Sequence, residues 1–319
     1  MTLPGQQRGV ALISILLIFT LVVILVSGAI TRAGLDIRKS EFHLHYAQAY
    51  QFALGGEALA RQLLFRDWKE DTAQNKVDHL GDKWNGTFDF EPDGGKMRVE
   101  IEDLHGRLNL NSLLAGNSEN EIQYNALKRL LESLNLPDTL APQFLDWIDQ
   151  NTSPKAARSE DVYFQGLTPP FRSADNLFGD VSEIQAIQPL TAEQSGALLP
   201  HITVLPELTQ INPNTASEAI IGSLHQELDA GKIIAERQNE YYSDVEKFTQ
   251  SDAFSGMHIG DLNAQLTVTS TFFEVRVTAQ YQQQTIYLRS LLHRDPVTGT
   301  IETLGRNLQP PEQSNTANR

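Results

Sequence analysis

Gly9-Val10-Ala11-Leu12-Ile13-Ser14-Ile15-Leu16-Leu17-Ile18-Phe19 opens an apolar run that reaches Ile30, with no charged residue between Arg8 and Arg32. At ~1.5 Å per residue the run from Val10 makes a helix roughly 30 Å long, the thickness of a bilayer's hydrocarbon core. In lipid every backbone N–H and C=O must be bonded within the segment, so residues 10–30 read as one transmembrane helix. A cleaved secretory signal has a shorter apolar region, ~7–15 residues. Ser27-Gly28-Ala29 offers a small-x-small cleavage site, but the run is too long for that class. Everything after Thr31 is expected to hang from this anchor.

The 319 residues leave room for about two domains beyond the anchor. Lys and Arg number 25 against 40 Asp and Glu, a net charge of −15. A surface of that sign repels phosphate backbones, so no nucleic-acid partner is expected. There is no cysteine, hence no disulfide framework and no thiol chemistry. A large domain buries enough core without either.

Leu35, Phe42, Tyr46, Ala49, Phe52, Ala53, Leu59, Leu63 and Leu64 recur at helical steps, which extends the membrane helix to about Trp68 as an amphipathic half. Gly55-Gly56 is expected to loosen one turn. Thr87–Phe90 and Lys96–Glu102 alternate apolar and polar residues around Pro92-Asp93-Gly94-Gly95, a β-hairpin pattern. Helical periods follow at Ile122–Leu134, Pro142–Ile148, from Ser182, after an Asn214 or Thr215 cap, at Ile233–Gln238 and at Asp244–Thr249. From Leu266 the period returns to two, giving strands at Leu266–Ser270, Phe272–Ala279 and Thr285–Arg294. Neither strand region is large enough to stand alone. The expected fold is therefore α+β: residues 31–108 (long helix and first strands) and 263–296 (last strands) form one antiparallel sheet on the helix. A helical domain, 109–262, is inserted between them, and the Pro- and Asn-rich tail, 297–319, is expected to be disordered.

The leader, with Arg8-Gly9 immediately before the apolar helix, resembles the class III leader of type IV pilins and pseudopilins. That resemblance implies cutting by a prepilin peptidase after Gly9 on the cytoplasmic side, with Val10 the first, methylated residue of the mature chain. Arg32, Arg38 and Lys39 beyond the helix favour the opposite orientation by the positive-inside rule, but a pilin-type leader requires a cytoplasmic N-terminus. The family carries Glu at the fifth mature position, where it meets a neighbouring subunit's N-terminal amine; here that position is Ser14. An unpaired carboxylate in the membrane is costly, so a subunit that never docks beneath another has no use for it. Gly106-Arg107-Leu108-Asn109-Leu110-Asn111, Asp146-Trp147-Ile148-Asp149 with Glu160-Asp161, Ile211-Asn212-Pro213-Asn214-Thr215-Ala216, and Ser270-Thr271-Phe272-Phe273-Glu274-Val275 with Arg289 and Arg294 follow in order. Together these segments resemble the K-type minor pseudopilins of type II secretion, the general secretion pathway protein K family, along nearly the whole chain. The resemblance implies a pilin-like domain interrupted by a helical domain with two sterile-alpha-motif-like units. It also implies a place at the pseudopilus tip, in the Gram-negative inner membrane with the bulk in the periplasm. The implied partners are I- and J-type minor pseudopilins, other pseudopilins and the inner-membrane secretion assembly.

Asp146, Asp149, Asn151, Glu160 and Asp161, with Asp175 and Asn176, gather oxygen donors within a short span. Calcium takes six to eight oxygens at about 2.3–2.6 Å, many from loop carboxylates. The spacing is not that of an EF-hand. The family resemblance implies structural calcium in this helical domain; the residues alone read equally as a solvated acidic loop with capping side chains. Among the histidines only His43 and His45 are close in sequence, and two residues apart on a helix they do not face one another. Asn212-Pro213-Asn214-Thr215-Ala216 is similar to the start of a helix-hairpin-helix DNA-binding unit, but the glycine hairpin is missing and the charge is wrong. No nucleophile elbow, HExxH or Gly-rich phosphate loop is present, so no enzyme is expected. A membrane-anchored periplasmic hydrolase, or a generic signal-anchored binding domain, is the alternative.

Overall fold

The computed structural model describes residues 7–71, 76–151, 155, 161–187 and 190–310, with backbone only at 7–9 and 161–162. Helix α1, Gln7–Glu70, is unbroken over 64 residues. It passes straight through Gly55 and Gly56. Close packing accounts for the second of these: a Cβ on Gly56 would come 2.7 Å from Val277 Cγ1 and 2.9 Å from Val99 Cγ2. The glycine lets the helix lie directly on the sheet rather than loosening a turn.

Five antiparallel strands follow in the order β1 (Thr87–Phe90), β2 (Gly95–Asp103), β3 (Phe272–Tyr281), β4 (Gln284–Arg294) and β5 (Ile301–Asn307). The period of two puts Val99, Ile101, Phe273, Val275, Val277, Ala279, Ile286, Leu288 and Leu292 on one face, where they bury Ala49, Ala53, Ala60 and Leu64 of α1. Gln282, at φ 52°, makes the β3–β4 turn. The fifth strand corrects the expectation of a disordered tail from 297: Asp295 Oδ1 caps the amides of Val297 and Thr298, and Gly299 turns at φ 71° against Trp68. Residues 301–307 then complete the sheet; 311–319 lie outside the described residues.

Residues 104–271 leave the sheet after β2 and return at β3, a wider interval than the expected 109–262. Asp103 and Phe273 oppose one another in the ladder, so entry and exit share one end of the sheet. Helices α2 (Glu121–Ser133) and α3 (Leu140–Ile148) belong to one continuous core that runs from Leu108 through Leu127, Phe144, Phe164, Ile220 and Phe248 to Leu266. The cap expected at Asn214 or Thr215 is made by Ser217, whose hydroxyl accepts from Ile220 N for the helix Glu218–Leu224. Leu266–Ser270 is not a strand; Leu266 forms a single bridge with Ile211. A further helix, Ala192–Leu198, starts at a Thr191 capping box with Gln194.

Candidate functional site: the acidic cleft and the root of the insert

The first half of α1 is long and apolar enough to cross a membrane, and its large side chains from Val10 to Ile30 are 48–68% exposed. Gly9 lies within the helix, which starts at Gln7, so the backbone does not break at the expected cleavage point. Ser14 Oγ donates to the Val10 carbonyl at 3.0 Å. Its hydroxyl is thus satisfied one turn back and needs no partner from a neighbouring chain.

The acidic residues sit at the end of α3 around a cleft of about 700 Å³. Asp149, Asn151 and Asn176 line it, joined by Glu119, Lys155 and Glu207. Asp146 is fully buried beside it, and its Oδ2 accepts from Lys155 N at 2.8 Å. Asn151 Nδ2 donates to Asp149 Oδ2 at 2.6 Å, while Asp149 Oδ1 is buried and has no hydrogen-bond donor among the described residues. Burial and then the neighbouring Asp146 charge push the Asp149 carboxyl above its usual range. A buried, orphaned carboxylate oxygen among further oxygen donors fits a hard cation. Lys155 does not compete for it, since its amine pairs with Glu119.

Asp175, at φ 45°, is outside the cleft lining, and its Oδ1 accepts from Ser173 Oγ at 2.6 Å. Asn176 Oδ1 accepts from Leu177 N. Glu160 lies outside the described residues, and Asp161, the first residue of the helix Asp161–Phe164, is described by its backbone alone. Glu119 and Glu207 come from distant segments, and no sequence spacing announces them.

The other quoted motifs build the root of the insert. Asp103 Oδ2 accepts from Thr215 Oγ1 at 2.5 Å and Ser270 Oγ at 2.7 Å, and its Oδ1 from His105 N at 2.8 Å. Asn212 Nδ2 donates to Ser270 Oγ and to the Asp78 carbonyl, both at 3.0 Å. Arg294 Nη2 grips Asp78 at 2.5 and 2.6 Å. Burial pushes the Asp78 and Asp103 carboxyls up; Arg294 opposes the first shift, and Thr215 and Ser270 the second. Asn109 and Asn111 act as backbone surrogates, Asn109 bonding Leu205 N and the Glu207 carbonyl, Asn111 bonding both polar groups of Phe178. These side chains hold chain crossings together.

Residues 106–207 and 211–269 match the two family models described as Type II secretion system (T2SS), protein K. Type II secretion system protein K of Pseudomonas aeruginosa is 34% identical, covering 95% of this chain and 93% of the relative. The protein of the same name from Aeromonas hydrophila is 28% identical over 91% of this chain and 93% of its own length. Among solved structures, a chain of the GspK-GspI-GspJ complex from the enterotoxigenic Escherichia coli Type 2 Secretion System superposes with a TM-score of 0.77. It is 23% identical, covers 85% of this chain and 99% of its own, and shares the fold.

Proposed function

The chain belongs to the type II secretion system protein K family, and from that premise we propose that it caps the periplasmic pseudopilus as a minor pseudopilin, joined to I- and J-type partners. The observation that carries the tip position is where the insert sits. Asp67 and Trp68, at the end of α1 away from its apolar half, meet Arg294 and the β4–β5 turn. At the other end of the sheet Tyr281 meets His45 and Phe52. The insert leaves between Asp103 and Phe273, hence on the membrane-distal end, roughly 55 Å of helix beyond Ile30. There it covers the end of the sheet over which a further subunit would stack. Ser14, bonded to Val10, is consistent with a subunit that offers no carboxylate to an amine above it. In this reading the anchor is single-pass with a cytoplasmic N-terminus, a prepilin peptidase removes residues 1–9, and the work is assembly rather than catalysis. Asp149, Asn151 and Asp146 would hold a structural calcium that ties α3 to the loop after it. Copurification from detergent-solubilised membranes tests the partnership: elution together with I- and J-type pseudopilins supports it, and elution alone overturns it.

A further inference from the structure

Four carboxylates crowd the root of the insert. Asp67 lies in the last turn of α1, and Asp71, Asp78 and Asp82 follow its end. Oxygens of Asp67, Asp78 and Asp82 come within 4.8 Å of one another. Asp103 of β2 adds a fifth acid to Asp78's surroundings. Facing them are Arg294 of β4, Lys76, and His79, whose Nε2 is 3.1 Å from Asp82. Lys76 is partly diverted, donating to the Trp68 carbonyl at 2.9 Å and lying over its ring. Arg294 commits Nη2 to Asp78 and leaves Nη1 3.7 Å from Asp67 Oδ2. That oxygen is buried and, among the described residues, has no hydrogen-bond donor. The guanidinium already fills the place of a cation, and the remaining negative charge exceeds what it neutralises.

We propose that this cluster holds a proton on Asp67 and works as a latch released by alkali. With the proton in place, Arg294 belongs to Asp78, and Asp78 fixes the insert by accepting from Ser270 N at 2.7 Å and receiving Asn212 at its carbonyl. Without it, Asp67 competes for the same guanidinium, and the grip on Ser270 and Asn212 slackens. Burial, reinforced by Asp82, Asp78 and Asp71, lifts the Asp67 carboxyl to about 8, with Arg294 opposing. A raised carboxyl pKa favours the folded state below the ordinary carboxylate range, and that advantage is lost as pH climbs to the folded value, here between 3.8 and about 8.

The test is thermal melting of the full chain in detergent from about pH 5 to about pH 9, wild type against Asp67→Asn, with hydrogen exchange at the Asp78 and Ser270 amides. The wild type should lose several degrees across the window and Asp67→Asn much less. Corrected for intrinsic exchange, protection at those two amides should fall several-fold in the wild type while amides of α2 keep theirs. Equal pH slopes in the two proteins, or loss of protection spread evenly over the insert, would overturn the latch. Should Asp67→Asn fail to fold, Asp82→Asn serves. Removing that neighbouring charge should move the wild-type midpoint to lower pH, and an unmoved or raised midpoint sinks the proposal.

Discussion

Glu57 is the most informative single residue of the pilin-like half. It lies on α1, only 1% exposed, and accepts from Ser290 Oγ, Thr303 Oγ1 and Nε and Nη2 of Arg306 at 2.6–2.9 Å. Burial works to raise its pKa, but the Arg306, Ser290 and Thr303 bonds prevail and hold it near 2. Its contribution is present above the ordinary Glu value of 4.5 and is lost as pH falls toward about 2. Glu57→Ala leaves four donor groups, on Ser290, Thr303 and Arg306, facing an empty site. A fully buried pair costs about 3–5 kcal/mol to break, but Arg306 is half exposed, so a loss of about 2–3 kcal/mol is expected in denaturant melts. In the cleft, Asp149→Ala should abolish any calcium-induced rise in melting temperature, a rise worth about 2.7 kcal/mol at a hundredfold excess over Kd. Persistence of the rise in that variant places the ion elsewhere. At the N-terminus, intact mass from host membranes should show loss of residues 1–9 and a methyl on Val10 only when the prepilin peptidase is present.

Helix and sheet meet at Gly56, where Val277 and Val99 leave no room for a methyl. Gly56→Ala should cost about 1–3 kcal/mol by overpacking, against the small gain that Ala brings to an open helix position; Gly55→Ala next to it, with open space around, should be neutral or stabilising. Equal effects at the two positions would contradict this contact. The helix and the first hairpin were legible because apolar residues keep strict periods over many residues, and Pro92 to Gly95 punctuate them. The fifth strand was not: Ile301–Asn307 is an exposed edge with a glycine at 305, and it is held by Glu57, far away in sequence. The Ser217 cap was missed because Asn214 and Thr215, just before it, are capping residue types as well. Asn214 instead pairs with both backbone groups of Tyr242, a contact no local pattern reveals. The Asp146–Asn151 half of the cleft could be read from its spacing, whereas Glu119 and Glu207 reach it only through the fold. The same holds for the root, where Arg294 and Asp78 are 216 positions apart.

At the scale of the molecule, a pilin-like body and an inserted helical domain have separate cores joined at a narrow root. Leu104, Leu205 and Phe272 form the small apolar cluster between them. Because Asp103 and Phe273 are ladder neighbours, replacing 104–271 by a two-residue turn should leave the sheet on α1 folded, with a two-state melt and partner binding retained. The shortened chain no longer covers the membrane-distal end, so it should admit subunits beyond it. A complex that stays the same size would show that the insert is not what stops growth.

Placed at the tip as proposed, this chain ends a filament. The measurement that meets it most directly is the native mass of the detergent-solubilised assembly formed with I- and J-type pseudopilins, with further pseudopilin added in excess. One copy of this chain per assembly is expected, whatever the excess. Two or more copies in one assembly, or a chain that never enters it, would contradict the tip position.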